Sequence, residues 1–266
     1  MKVNYLISAL TTLLTISFSS AQDKNHDSWN ESVFEPGEQV YMFGNNVKLR
    51  SAPKMESEVL ELLKIGEWVQ IIEKTEFSWP YRGYDSPFYK VKYDDKVGYI
   101  LGGLLSIEKK VLNGIDFYFA FSKEGSRNFL NIRNVINGDY LEQKVPLTHT
   151  NITIHPLDNK GVPDLDGILF VNYIAEACGV EGGGIYLFAH GKGLTKVAEL
   201  SEISDSGVFY RSERFIFPDE QEGIPNKILL KKEQRENLDE ASVWTKTFVE
   251  TRQLTWVDEK LVPDYQ

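Results

Sequence analysis

NNVKLRSAP, residues 45–53, decides how this chain is read. Val47 and Leu49 alternate with Lys48 and Arg50 before Ser51-Ala52-Pro53 ends the pattern. Apolar residues two apart fall on different faces of a helix but on one face of a strand. The stretch therefore predicts a half-buried strand, with Val47 and Leu49 inward, Lys48 and Arg50 in solvent, and a Pro-containing turn as its stop.

Working outward from it, short strands are expected at Val59–Leu63 and, after the turn at Gly66, at Trp68–Glu73. Phe88–Tyr93 and Val97–Leu101 are alternating runs joined through Asp94-Asp95-Lys96, a tight hairpin signal. Five short strands with little room for helix describe a small barrel. The order of these segments over residues 41–106 resembles the bacterial SH3 (SH3b) family. Val47, Leu49, Arg50, Ser51 and Pro53 stand as the opening motif, Val59, Leu62 and Gly66 follow, and Tyr89, Val91, Gly98 and Tyr99 close it. Two departures stand out: Phe88-Tyr89 stands where the family usually has Trp-Tyr or Trp-x, and Thr75–Pro87 is longer than the usual connection. The resemblance implies an SH3-like barrel over 38–106 and aromatic-lined grooves near such connections.

Residues 107–266 are too many to decorate a barrel, and no family resemblance attaches to them. Asn137-Gly138 and His190-Gly191-Lys192-Gly193 each sit between strand-like runs and predict hairpins. Segments 207–217, 242–252 and 253–262 favour strands through β-branched and aromatic residues. VNYIAEAC (171–178) has a helical look, KKEQRENLDE (231–240) reads as a solvated loop, and EGGGI (181–185) as a flexible connector. The expected fold class is all-β: a small SH3-like barrel followed by a larger β-rich domain, as a sandwich, an open sheet or a propeller-like unit.

Met1-Lys2, the apolar run Tyr5 to Phe18 and the small residues Ser19-Ser20-Ala21 form a secretory signal pattern over 1–21, with cleavage expected after Ala21. Residues 22–37 read as a polar leader tethered by Trp29 and Phe34. The expected location is secreted or periplasmic, without a membrane span once the signal is removed. The formal charge is −10, or −11 once Lys2 leaves with the signal, so phosphate-rich polymers, nucleic acid among them, are poor partners. With Cys178 the single cysteine, the cores must stand on packing without a disulfide framework. Asn30 and Asn151 begin Asn-x-Ser/Thr triplets.

EFSWPYRGYDSPFY (76–89) crowds Phe77, Trp79, Tyr81, Tyr84, Phe88 and Tyr89 around Pro80, Gly83 and Pro87. Read as a loop, it makes Trp79, Tyr81, Tyr84 and Tyr89 the expected ligand contacts, since flat rings suit sugar faces and peptide side chains. The competing expectation packs these rings between the two domains. Cys178 would need an imidazole to activate it, and His190 lies only twelve positions on at a hairpin tip, so a buried small hydrophobe is favoured over a nucleophile. Asp158, Asn159, Asp164 and Asp166 could ligate calcium, but Lys160 and Val162 occupy positions that should carry ligands, and turns account for the segment. No metal, cofactor or catalytic set is expected. The function these features support is a non-enzymatic envelope binding or scaffolding protein whose SH3b module recognises peptidoglycan fragments, a peptide or an envelope protein. The alternative is an SH3b-targeted cysteine hydrolase that uses Cys178.

Overall fold

The computed structural model describes residues 34–136, 138–205, 208–237 and 245–265. The signal segment, Trp29 and the Asn30 triplet lie outside the described residues. The fold is all-β, and its strands form three sheets.

The first sheet holds β1 (Gln39–Tyr41), β2 (Val47–Arg50), β3 (Val59–Leu63), β4 (Trp68–Tyr81), β5 (Tyr84–Tyr93) and β6 (Lys96–Leu101), in the order β1-β4-β5-β6-β2-β3. Val47 and Leu49 point into its core with Val69, Ile71, Val91 and Ile100, while Lys48 is exposed. Arg50 departs from expectation, being only 7% exposed. A register shift between Leu49 and Arg50 turns it out of alternation, and its guanidinium Nη1 donates to the Ser57 carbonyl at 3.3 Å. The Arg50 side chain thus ties down the turn that ends β2. Gly98 explains its place in the closing motif: a Cβ there would come within 2.8 Å of both Leu49 and the Arg50 carbonyl, where β2 and β6 cross. Phe34 packs edge-on against Tyr89 with ring centroids 5.3 Å apart, and residues 22–33 of the expected leader lie outside the described residues.

The second sheet is a meander of β7 (Glu108–Leu112), β8 (Ile115–Glu124), β9 (Arg127–Ile136) and β10 (Asp139–Leu147). β9 and β10 pair as the predicted hairpin requires, with Ile136 opposite Asp139, while Asn137 itself lies outside the described residues. The third sheet runs in chain order: β11 (Ile152–Leu157), β12 (Gly167–Tyr173), β13 (Gly182–His190), β14 (Gly193–Asp205), β15 (Phe209–Ile216), β16 (Ile228–Asn237), β17 (Thr245–Val257) and β18 (Lys260–Val262). The hairpin at His190–Gly193 is present.

Three local expectations are corrected. VNYIAEAC holds no helix: β12 continues to Tyr173 and irregular turns follow. KKEQREN belongs to β16, where cross-strand charge pairs such as Lys232–Glu213 at 2.9 Å make a polar strand tolerable. Residues 182–185 of EGGGI open β13, and Gly184 is required by close approach, since a Cβ would lie 2.4 Å from the Val171 carbonyl.

The eight-stranded sheet is rolled. Phe188 on β13 and Trp256 on β17 are four strands apart, about 19 Å in a flat sheet. Their ring centroids are 5.1 Å apart. Phe188, Phe215, Phe217, Leu230 and Leu254 fill the inside of the roll, while Leu169, Val171, Ile185 and Leu187 on the other face pack against Phe117, Phe119, Phe121 and Ile132 of the second sheet. β12 and β13 are therefore buried on both faces, which is why GILFVNY reads as a continuous apolar run.

Candidate functional site

The segment expected to be a loop is a hairpin. β4 and β5 extend past the barrel and turn at Arg82-Gly83, with Tyr81 opposite Tyr84. β1 covers β4 only at Trp68–Gln70, and β6 covers β5 only from Phe88 onward. Beyond those points the hairpin is a two-stranded ribbon with open edges, where Pro80 and Pro87 sacrifice no outer ladder bond.

A bulge sets where the rings go. Lys74 faces Tyr89 and Ser78 faces Pro87, so Thr75, Glu76 and Phe77 together oppose Phe88. Thr75 holds the bulge: its hydroxyl meets the Phe88 carbonyl at 3.0 Å and the Phe77 carbonyl at 3.3 Å, and it accepts from the Phe77 amide at 3.3 Å. The Ser78 hydroxyl donates to Asp85 Oδ2 at 2.8 Å across the ribbon. Bulges of this kind re-aim side chains. Here Phe77 is 62% and Trp79 45% exposed.

The expected ligand contacts divide by depth. Trp79 stays in solvent. Tyr81 is half-buried against Gly103, where a Cβ would come within 2.6 Å of the ring. Tyr84 packs against the core between the second and third sheets, and its hydroxyl donates to Asn128 Oδ1 at 3.0 Å; burial raises its phenol pKa. Tyr89 lies in the barrel core at 1% exposure, its phenol pKa also raised by burial, and presents no face to a ligand. The residue outside the expected contact set is Phe77. Its signal was its place two before Trp79, on one strand face, in a segment that looked too broken by Pro and Gly to be a strand.

The tip of the hairpin is clamped to the second sheet. The Lys123 amide donates to the Arg82 carbonyl at 2.8 Å, and Arg82 Nη2 reaches Glu142 Oε1 at 3.2 Å. Arg133 donates from Nη1 to the Phe43 carbonyl at 2.7 Å and from Nε and Nη2 to Glu142 Oε2 at 2.9 and 2.7 Å. Its guanidinium also lies 4.5 Å from the Phe43 ring and 4.2 Å from the Tyr140 ring. Tyr84 thus meets the expectation of packing against the rest of the chain, while Phe77 and Trp79 remain exposed.

Cys178 is exposed rather than buried. β13 separates it from His190, since Cys178 precedes the strand's first residue and His190 ends it. Eight steps of about 3.3 Å put the strand's two ends roughly 26 Å apart, too far for a thiol–imidazole pair. His190 Nδ1 donates instead to the Asp164 carbonyl at 2.9 Å. At the calcium-like segment, the Lys160 ammonium sits 3.7 Å from Asp158 and 3.6 Å from Asp219, a cation already in place. Among the described residues no group of three or more His, Cys, Asp or Glu is arranged to hold a metal ion. At the second glycosylation-type triplet, the Asn151 side-chain oxygen is buried and Thr153 bonds His155 and Asn172, so the triplet is part of the packed β11 start.

These positions can be set against known proteins. Residues 45–106 are a bacterial SH3 domain by their match to that family's model. The match takes in the bulged hairpin as well as the β2 motif, and ends where Ile107 enters the second sheet by donating to the Phe119 carbonyl at 2.9 Å. No curated protein and no solved structure matches the chain. The bacterial SH3 domain therefore carries β1 ahead of the matched span and lends its longest hairpin to the interface with the rest of the molecule.

Proposed function

We propose that this is a non-enzymatic cell-envelope binding protein, secreted or periplasmic after loss of residues 1–21, whose bacterial SH3 domain contacts wall glycopeptide through Phe77 and Trp79. The observation that carries the reading is the Thr75-held bulge, which keeps two aromatic rings in solvent on a ribbon held at its tip by Arg82. Exposed aromatic area costs about 25 cal/mol per Å². Rings maintained against that cost on an ordered element suit a ligand with a flat, partly apolar face. Glu76 and Asp85 beside them favour neutral or amine-bearing glycopeptides over anionic wall polymers. The family match supports wall binding as the class of activity. The second and third sheets serve as a rigid mount for this hairpin.

The test is co-sedimentation of the chain from Gln22 onward with purified peptidoglycan sacculi at moderate salt. Phe77→Ala/Trp79→Ala, verified as folded by circular dichroism, should lose binding, whereas Trp68→Ala at the start of β4, where it pairs with β1, should retain it. Absence of binding by the unmutated chain would sink the wall reading and direct the search to protein partners.

A further inference from the structure

A cleft of about 580 Å³ opens at one end of the rolled sheet, lined by Asp164, His190, Trp256, Val257, Asp258 and Glu259. His190 ends β13 and Asp258-Glu259 form the β17–β18 turn, so two hairpins and the Asp164 turn meet there. Small-molecule sites commonly span about 300–1,000 Å³ and favour the mouths of β-barrel-like structures. The roll itself supplies the wall: Trp256 is half-buried, its ring fixed by the edge contact with Phe188 inside.

The polar lining is one-sided. Among the described residues, neither Asp164, Asp258 nor Glu259 forms an ion pair, and Lys260, next in the chain, does not pair with them. His190 Nδ1 donates to the Asp164 carbonyl at 2.9 Å. A carbonyl can only accept, so the neutral ring keeps its proton on Nδ1 and leaves Nε2 as an acceptor. An anion would be repelled by three carboxylates, and an apolar ligand would strip their water without replacing it. A group with positive charge, N–H donors and attached methylenes satisfies the carboxylates, the imidazole acceptor and the indole face together.

We propose that this cleft binds an alkylammonium group, either of a free amine or of a lysine side chain in a peptide. The site is separate from the SH3 hairpin and does not depend on wall binding. The test uses the full chain and follows the Trp256 indole N–H resonance, identified by its loss in Trp256→Phe. The probes are n-butylammonium, a blocked tripeptide with a central lysine, and 1-pentanol as neutral control. Both charged probes should shift the resonance saturably and 1-pentanol should not. Asp258→Asn/Glu259→Gln, in an exposed turn, should weaken binding about tenfold, the equivalent of about 1.4 kcal/mol. Asp164→Asn should act in the same direction, because Asn tolerates the left-handed conformation held at that position (φ 58°). A peptide that binds at least as tightly as butylammonium indicates a lysine source, and one excluded while butylammonium binds indicates a free amine. No saturable shift, an equal response to 1-pentanol, or unweakened binding by both folded variants would overturn the proposal.

Discussion

At the scale of single residues, position along a strand decides consequence more than residue type does. Leu49 is fully buried, while Val59, on the neighbouring edge strand β3, is 40% exposed. Leu49→Ala should cost about 3 kcal/mol in chemical denaturation, since both transfer free energy and a cavity are lost. Val59→Ala should cost less than about 1 kcal/mol, and an equal loss from both would show that β3 is packed more deeply than its exposure indicates. Tyr186 offers a residue-scale prediction in pH. Burial first, and the Glu220 charge second, push its phenol up to about 12 from an ordinary 10.0. The unfolded chain therefore gives up this proton first, so the contribution is complete below pH 10 and is lost as pH rises from there through about 12. Denaturation midpoints should fall across that window, and Tyr186→Phe should flatten the fall; an unchanged slope would assign the loss to other groups.

At the scale of elements, the strands with one dry face were legible and the strands exposed on both faces were not. Residues 47–49 alternate because a core lies on one side, and the limits of β2 and β3 follow from the sequence residue for residue. Arg50 broke the pattern only because a register shift, invisible to a period-2 reading, turned it inward. The outer part of β4, residues 77–80, has no core beneath it, so nothing imposes alternation there, and Pro80, Gly83 and Pro87 looked like loop residues. β16 was hidden for the same reason, its polar end being stabilised by cross-strand ion pairs. Of the four expected ligand contacts, sequence could name the rings but not their depth, which is set by the bulge at Thr75–Phe77. Thr75→Val tests that device while keeping its shape. It should cost about 1 kcal/mol through lost hydrogen bonds, and it should reduce sacculus binding although no ring is removed. Full binding in a folded Thr75→Val variant would mean that the bulge does not position the rings.

At the scale of the whole molecule, three sheets are joined by contacts between residues distant in the chain, and this joining is the part least readable in sequence. Arg133 reaches the Phe43 carbonyl ninety positions away, and Phe43, Ile65, Tyr118 and Ala120 form one cluster across the same junction. Local periodicity carries no information about such pairs, nor about the roll that brings Phe188 to Trp256. The clamp matters for the proposed function because a ring can strip water from a ligand face only if the ribbon that carries it does not yield. Arg133 is buried and bonded through three nitrogens, so Arg133→Met removes directional contacts while keeping part of the apolar stem. It leaves Glu142 half-exposed and still paired with Arg82, which limits the penalty of an orphaned charge. The expected loss is about 2 kcal/mol, drawn from the Phe43 carbonyl and the two Glu142 bonds. More tellingly, calorimetry should resolve one cooperative transition of the unmutated chain into two, with the bacterial SH3 domain unfolding apart from the paired sheets. A single transition merely displaced to lower temperature would show that the apolar cluster around Phe43 couples the units without the guanidinium.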